Sequence, residues 1–221
     1  MSPVIKSYDH FIAITDRTLC RGSFTDQVQR VCSLHPRALI LREKDLPDDQ
    51  YALLAREIQE ICRQAGVPFF VHGRPGIARQ IGCRCLHLPL PVLRSLGGSR
   101  PEGFERGSAS ASQDSLSLHE RDLPDAGSGP AAPPMVSVSC HSMEDMREAV
   151  AAGADFIILG TIFETQCKKG LRGKGPSFVK EICDVCPVPV YAIGGIREDN
   201  IDLVLQAGAA GGCMMSGFMQ I

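Results

Sequence analysis

The sequence predicts an α/β protein with a (β/α)8 (TIM) barrel. Eight apolar runs of strand length alternate with amphipathic segments along the 221 residues. Alternating strands and helices favour a parallel sheet, and eight strands favour its closure into a barrel with the active site at the carboxyl ends of the strands. The predicted strands are Phe11–Ile14, Ala38–Leu41, Pro68–Val71, Cys85–Leu88, Met135–Val138, Phe156–Leu159, Val188–Ile193 and Gly212–Met215.

The segments between these strands carry helical periodicity. Ser142, followed by Asp145 three residues later, is typical of a capping box that opens a helix. With 44% hydrophobic residues the chain can bury one sizeable core, so a single barrel domain over residues 1–221 is expected. The clearest predicted helices are Asp48–Arg63, Ser142–Ala152, Ser177–Asp184 and Arg197–Ala207.

Two stretches depart from the regular pattern. Residues 97–134 are rich in Gly, Ser, Ala and Pro and fall where a fourth helix belongs, so they are interpreted as a mostly disordered, low-complexity insertion. A short helix within 116–123 remains an alternative. Only a few residues follow the eighth strand, which predicts a missing or shortened eighth helix.

Composition excludes several classes of function. The charges are balanced, with 23 basic and 25 acidic residues, and no run of Lys or Arg predicts a nucleic-acid surface. No apolar stretch approaches the ~18 residues of a membrane span. The first ten residues lack a signal-peptide pattern, so a soluble, cytoplasmic protein is expected.

The ten cysteines lie mostly in apolar contexts, where a free thiol behaves as a small hydrophobic group. The pairs Cys83/Cys85 and Cys183/Cys186 lack the further ligands of a zinc site. Buried, inert thiols are therefore expected, with a redox-active Cys183 pair as the alternative.

Polar groups, from side chains or from exposed glycine backbone, follow seven of the predicted strands. A single polar residue at a strand end often only caps a loop, but seven clusters would meet at one mouth if the barrel closes. The clusters are Thr15-Asp16, Arg42–Lys44, His72–Arg74, Ser139–Ser142, Thr165–Lys169, Gly194-Gly195 and Ser216-Gly217.

The last two clusters predict a phosphate site. Gly194, Gly195 and Ser216 would expose backbone N–H groups after strands seven and eight, where many barrels bind phosphate. Thr165 and Lys168 would add a hydroxyl donor and a positive charge. A small phosphorylated ligand is therefore expected.

The order and spacing of these motifs resemble the thiamin-phosphate-synthase/TenI family. The resemblance covers the chain outside 97–134. It lies in Phe11–Asp16, Leu41–Lys44, Ser139–Ser142, Gly153–Asp155, Gly160–Thr165, Ala192–Ile196, Gly208-Ala209 and Met215-Ser216.

The family's synthases join a pyrimidine pyrophosphate to thiazole phosphate, using Mg²⁺ held by two aspartates. Gly73 and Val92 stand at the positions that match those aspartates, and neither has a side-chain oxygen for Mg²⁺. Ile40 also replaces the glutamine of the synthase pattern. Synthase activity is therefore the second choice.

Other details resemble the family's thiazole tautomerases, which aromatise a carboxythiazole phosphate tautomer without metal or redox cofactor. They are Gly73-Arg74, Leu88-Pro89, Cys167–Leu171, and Gly173 with Gly175. The predicted function is thus a thiazole tautomerase of thiamin biosynthesis that needs no cofactor. A non-catalytic thiazole-phosphate binder is a further alternative, and a homo-oligomer is left open.

His141 is the candidate acid–base residue, because a histidine can take and give a proton near neutral pH. A capping role is its alternative. His87 is interpreted as structural and His72 is ambiguous; a metal site built from these three histidines is a weaker alternative. The predicted binding residues are Arg42, Lys44, His72, Ser139, Thr165, Cys167, Lys168, Gly194, Gly195, Met215 and Ser216.

Overall fold

Eight parallel strands close into a barrel in the computed structural model, with the strand order β1-β2-β3-β4-β5-β6-β7-β8. The structure describes residues 7–105, 134–165 and 172–221. The predicted fold is confirmed. The strands are β1 (Phe11–Ile14), β2 (Ala38–Leu41), β3 (Phe69–His72), β4 (Cys85–Pro89), β5 (Met135–Cys140), β6 (Phe156–Gly160), β7 (Val190–Ile193) and β8 (Gly211–Met214).

A helix follows each strand, and a 3-10 turn at Arg17–Leu19 precedes the first. In these three described ranges the α-helices are α1 (Phe24–Ser33), α2 (Asp48–Ala65), α3 (Pro75–Gln80), α4 (Leu90–Ser95), α5 (Met143–Ala151), α6 (Gly175–Cys183), α7 (Ile201–Gln206) and α8 (Ser216–Met219). The capping prediction for α5 is confirmed, since the Ser142 hydroxyl accepts a hydrogen bond from the N–H of Asp145 at 3.0 Å.

The apolar residues form two layers, because alternate side chains of a strand point to opposite faces. One layer lies between strands and helices and includes Leu39, Leu41 and Val71. The other fills the barrel interior and includes Ile12, Ile40, Phe70, Phe156 and Tyr191. The barrel is therefore packed below its mouth, and the mouth remains the place for a ligand.

The fourth helix corrects the sequence analysis. The insertion was expected to replace it, but α4 begins directly after β4 with Pro91 in its first turn. A six-residue helix with one proline before it and another in its first turn carries too little periodicity to be recognised from the sequence.

The insertion also has narrower bounds than 97–134. Phe104 is buried, and the half-buried Arg100 donates hydrogen bonds to the Asp155 carboxylate and to the carbonyls of Gly153, Phe104 and Pro134. Arg100 and Phe104 thus pack part of this stretch near the amino-terminal ends of β5 and β6, whereas residues 97–99 are exposed. Residues 106–133, including the candidate helix within 116–123, lie outside the described residues.

The eighth helix is shortened, as predicted. In α8 the side chains of Phe218 and Met219 are buried, and the Gln27 amide donates to the carbonyl of Phe218 at 2.6 Å. Within the described ranges, no helix is both long and apolar enough to cross a bilayer.

Candidate functional site

A cavity of about 1270 Å³ opens at the carboxyl ends of the strands. It is large for a single small ligand by the usual range of about 300–1,000 Å³. Cys167 and Lys168 lie outside the described residues. The predicted site residues that line the cavity are Arg42, Lys44, His72, Ser139, His141, Thr165, Gly194, Gly195, Met215 and Ser216.

The charges around the cavity favour an anionic ligand. Among the residues that the structure describes, five basic residues line it against two acidic ones, Asp145 and Glu164. Cations gathered around a concave mouth raise the local concentration of anions. The basic residues are Arg42, Lys44, Arg94, Arg172 and Arg197.

Arg42 is positioned by a hydrogen-bond network outside the barrel wall. Its backbone N–H donates to the Thr15 hydroxyl oxygen at 2.9 Å, and that hydroxyl donates to the buried carboxylate of Glu43 at 2.6 Å. Glu43 is in turn bonded by the N–H and guanidinium of Arg17. The network restrains the backbone at the end of β2 and therefore the position from which the Arg42 side chain extends.

His72 and His87 extend the mouth into the barrel interior. Their ring centroids lie 5.4 Å apart. Burial, together with the charges of Arg42 and Lys44, lowers the pKa of His72 to about 3. Burial, with His72 and Arg42 nearby, holds the pKa of His87 well below its usual range. Both imidazoles are therefore neutral at physiological pH.

His87 uses both ring nitrogens. Its Nδ1 lies 2.8 Å from the Ser137 hydroxyl oxygen, and its Nε2 lies 2.8 Å from that of Ser139. The interpretation of His87 as structural agrees with this burial. The weaker alternative of a metal site on His72, His87 and His141 has no support. Among the described residues, no three His, Cys, Asp or Glu side chains are arranged so that they could hold a metal ion.

His141 differs from His72 and His87 in its exposure to solvent. Its side chain is exposed at the mouth, directly after β5. Its backbone N–H donates to the Asp145 carboxylate at 2.7 Å, and its carbonyl accepts from the ammonium of Lys174. That ammonium also lies 4.3 Å from the centre of the Phe178 ring. Two charged side chains thus hold the backbone of His141 and leave the imidazole facing the cavity.

Gly194 and Gly195 form a tight turn after β7. Both have positive φ, 100° and 64°, which favours glycine. A Cβ on Gly195 would lie 2.6 Å from the carbonyl oxygen of Glu164, so the turn packs closely against the segment after β6. The Asn200 amide donates to the carbonyl of Gly195 at 2.9 Å. The turn presents backbone, without side chains, at the cavity beside Ser216.

The two positions that match the synthase aspartates offer no metal ligand. Gly73 lies in a left-handed conformation, with φ of 69°. Val92 packs against the core between helices and sheet and does not line the cavity. Mg²⁺ prefers oxygen ligands. The described part of the mouth therefore does not fit the two-aspartate magnesium site.

Arg74, one of the tautomerase-like details, is turned away from the cavity. Its guanidinium lies 4.1 Å from the centre of the Tyr51 ring and donates to Asp48 and to the carbonyls of Glu43 and Leu46. These contacts stabilise the loop after β2, and Arg74 does not line the cavity. Another of the four tautomerase-like details, Cys167–Leu171, lies outside the described residues.

Most of the described cysteines agree with the expectation of inert thiols; the exception is Cys32, whose pKa is lowered by its hydrogen bond with the Cys62 thiol. Burial raises the pKa of Cys83 to about 11 and that of Cys183 to about 12. Burial also raises the pKa of Cys186. The described cysteines are all free thiols, so neither local pair forms a disulfide.

Sequence reasoning missed several residues of the cavity. Arg94 and Arg197 were not singled out because they lie one turn beyond a strand end, on or before a helix. Asp145 was recognised only as a capping residue, although it also lines the mouth. Ser137 does not line the cavity but contacts His87, which does. It was missed entirely, although a polar residue at an inward-facing position of an apolar strand was a signal.

Comparison with known proteins points to one family. The sequence profile of the thiamine monophosphate synthase family matches residues 11–91 and 112–218. The chain is 26% identical to the thiamine-phosphate synthase of Syntrophomonas wolfei, over 93% of this chain and 86% of that protein. It is 28% identical to thiamine-phosphate synthase 2 of Streptococcus pneumoniae, over 90% and 81%. These names favour the synthase alternative over the tautomerase.

A solved structure confirms the fold. The thiamine phosphate pyrophosphorylase of Pyrococcus furiosus superposes with a TM-score of 0.69 at 21% identity, over 97% of this chain and 89% of that one. The family profile covers most of the chain, on both sides of the segment 92–111 that it leaves out. The chain belongs to the thiamine monophosphate synthase family.

Proposed function

We propose that this chain is a thiazole tautomerase that acts on a carboxythiazole phosphate in thiamin biosynthesis. The reaction removes a proton from the ring carbon that bears the carboxylate and returns a proton to an exocyclic carbon, which makes the ring aromatic. No electrons are transferred and no bond to the protein forms. One group that can take and give a proton near neutral pH is sufficient.

One observation carries the proposal: an exposed histidine and a glycine turn line the same cavity, while the positions of the magnesium aspartates are Gly73 and Val92. His141 is the only one of the three mouth histidines in the described structure that is exposed. His72 and His87 are held neutral by burial, so they are poor proton acceptors at pH 7. His141 is therefore assigned the proton transfer.

The anionic ends of the substrate match the remaining charges of the cavity. The turn at Gly194 and Gly195 with Ser216 is assigned the phosphate, since closely approaching backbone N–H groups suit its oxygens. Arg42 and Lys44 follow β2, which β1 separates from β8 in the barrel, and are assigned the carboxylate. A carboxylate between two cations remains ionised.

The second candidate is thiamin-phosphate synthase, and the names of the relatives favour it. It would require magnesium ligands other than residues 73 and 92. The third candidate is a protein that binds thiazole phosphate without turnover.

One experiment separates the three candidates. The pure protein is incubated with the thiazole tautomer, with and without excess chelator, and separately with both synthase substrates plus Mg²⁺. We expect aromatisation of the tautomer at a rate that the chelator does not change. Formation of thiamin phosphate that depends on Mg²⁺ would overturn the proposal in favour of the synthase, and binding of thiazole phosphate without either reaction would identify a binder.

A further inference from the structure

We propose that Ser137 fixes His87 as the tautomer with its proton on Nε2, and that this makes Ser139 a one-way hydrogen-bond donor to the ligand. His87 and Ser137 would thus be positioning residues for Ser139, which lines the cavity. Only the identity of the ligand rests on the proposed function; the tautomer does not.

The three side chains form one chain of hydrogen bonds across two strands. β4 and β5 pair in parallel with His87 opposite Ser137 and Pro89 opposite Ser139. The imidazole thus lies between two hydroxyls that are two residues apart on the same face of β5, at 2.8 Å from each. Because both ring nitrogens are engaged, rotation of the imidazole is blocked at both ends.

Burial decides the direction of the hydrogen bond between Ser137 and His87. Ser137 is fully buried, and its hydroxyl has no hydrogen-bond partner other than Nδ1 of His87 among residues 7–105, 134–165 and 172–221. If Nδ1 carried the proton, the hydroxyl hydrogen of Ser137 would be buried without an acceptor, which costs free energy. The arrangement that satisfies every group has Ser137 donating to Nδ1.

The direction of the second hydrogen bond follows from the first. His87 is neutral, because burial lowers its pKa well below the usual range. A neutral imidazole carries one proton, and Nδ1 is the acceptor, so the proton is on Nε2 and is donated to the Ser139 oxygen. The hydrogen of Ser139 can then no longer point at His87. Ser139 is half-buried and opens to the cavity, so it directs that hydrogen at the ligand.

This arrangement makes the cavity favour ligands that present a hydrogen-bond acceptor to Ser139. A ligand atom beside Ser139 has to be a hydrogen-bond acceptor, such as an oxygen of a carboxylate or phosphate or an unprotonated ring nitrogen. A ligand that presents an N–H or O–H there meets the hydrogen of Ser139 and loses affinity, because two donors face each other. Hydrogen-bonding sites reject a mismatched partner more strongly than apolar sites do.

The tautomer can be measured directly by nitrogen NMR of the histidine side chains in the ligand-free protein. The signals of His87 are assigned as those lost in the His87→Gln variant. We expect a protonated Nε2 and an unprotonated Nδ1 between pH 6 and pH 8. A proton on Nδ1, or a doubly protonated ring, would overturn the proposal.

Calorimetry with thiazole phosphate tests the effect on binding. By the usual net value of one hydrogen bond, Ser139→Ala should weaken binding about threefold to tenfold. Ser137→Ala should weaken it about twofold to threefold by the same reasoning, although Ser137 does not line the cavity. The matched control is Ser33→Ala, which removes an exposed hydroxyl at the end of α1 and should leave the affinity unchanged.

The spectrum of Ser137→Ala gives the second decisive result. In this variant no hydroxyl donates to Nδ1 of His87, so the imidazole proton is no longer confined to Nε2. We therefore expect a mixture of the two tautomers. A variant that folds and keeps a pure Nε2 tautomer at wild-type affinity would overturn the proposal. Failure of the proposed function has a different signature, which is a wild-type protein that leaves the thiazole tautomer unchanged.

Discussion

His87 and His141 line the same cavity from neighbouring strands, yet their surroundings differ in almost every physical property. His87 is buried, neutral and hydrogen-bonded through both ring nitrogens. His141 is exposed, and its backbone is held by charged side chains. The same side chain is thus suited to fixing geometry at one position and to moving protons at the other. Environment, not residue type, separates the two roles.

The largest effect should come from removing the exposed imidazole. His141→Asn keeps a polar group of similar size but cannot exchange a proton near pH 7, so turnover of the thiazole tautomer should fall at least about a hundredfold. Binding of the product should be unchanged. The control is His72→Asn, which removes a histidine that is already neutral and should cost much less; equal losses in both variants would remove the distinction between the two environments.

The second prediction concerns the buried pair and acid stability. Because the pKa of His72 and of His87 is lower in the folded protein than the usual value near 6.5, the unfolded chain binds more protons between pH 6 and pH 5. Stability is therefore present above about pH 6.5 and is lost as the pH falls. Each histidine contributes up to about 1.4 kcal/mol per pH unit to this slope.

The measurement is the free energy of unfolding in urea at pH 6 and pH 5. His87→Gln should show a flatter slope than the wild type, and His72→Asn should do the same independently. His10→Asn is the matched control, since that histidine is exposed and far from the buried pair. An unchanged slope in His87→Gln would mean that the folded protein protonates this ring.

The smallest effect should come from the contact that holds His141. Lys174→Met removes the ammonium that bonds the His141 carbonyl but keeps an apolar chain beside Phe178. We expect kcat to fall about fivefold to tenfold by the usual value of a charged hydrogen bond, with KM little changed. Lys174→Arg should restore most of the rate, and a variant in which only KM rises would assign Lys174 to substrate binding instead.

The barrel could be predicted from sequence because its information is local. Apolar runs such as Ala38–Leu41 are long enough to be strands, and the polar residues after them, Arg42 among them, necessarily meet at one mouth. The packing of Arg100 and Phe104 could not be predicted, because they lie in a stretch whose glycine- and serine-rich composition is typical of disorder.

The hydrogen bonds of His87 with Ser137 and Ser139 could not be predicted from the sequence either. Each of its residues is an ordinary polar residue in a strand, and only the register of β4 against β5 brings His87 opposite Ser137. Register depends on partners that are distant along the chain, here 50 residues apart. The pairing of polar groups inside a barrel therefore requires the structure.

The guanidinium of Arg100 has a consequence for how two neighbouring strands are joined where they begin. It bonds the carbonyl of Pro134, the residue before β5, and the carboxylate of Asp155, the residue before β6. The same carboxylate accepts the N–H of Val136 in β5. A guanidinium is planar and offers several donors at fixed angles, so it makes a link between the two strands that the ammonium of a lysine cannot reproduce. Exchange of Arg100 for lysine would therefore keep the charge at this end of the barrel but lose the link.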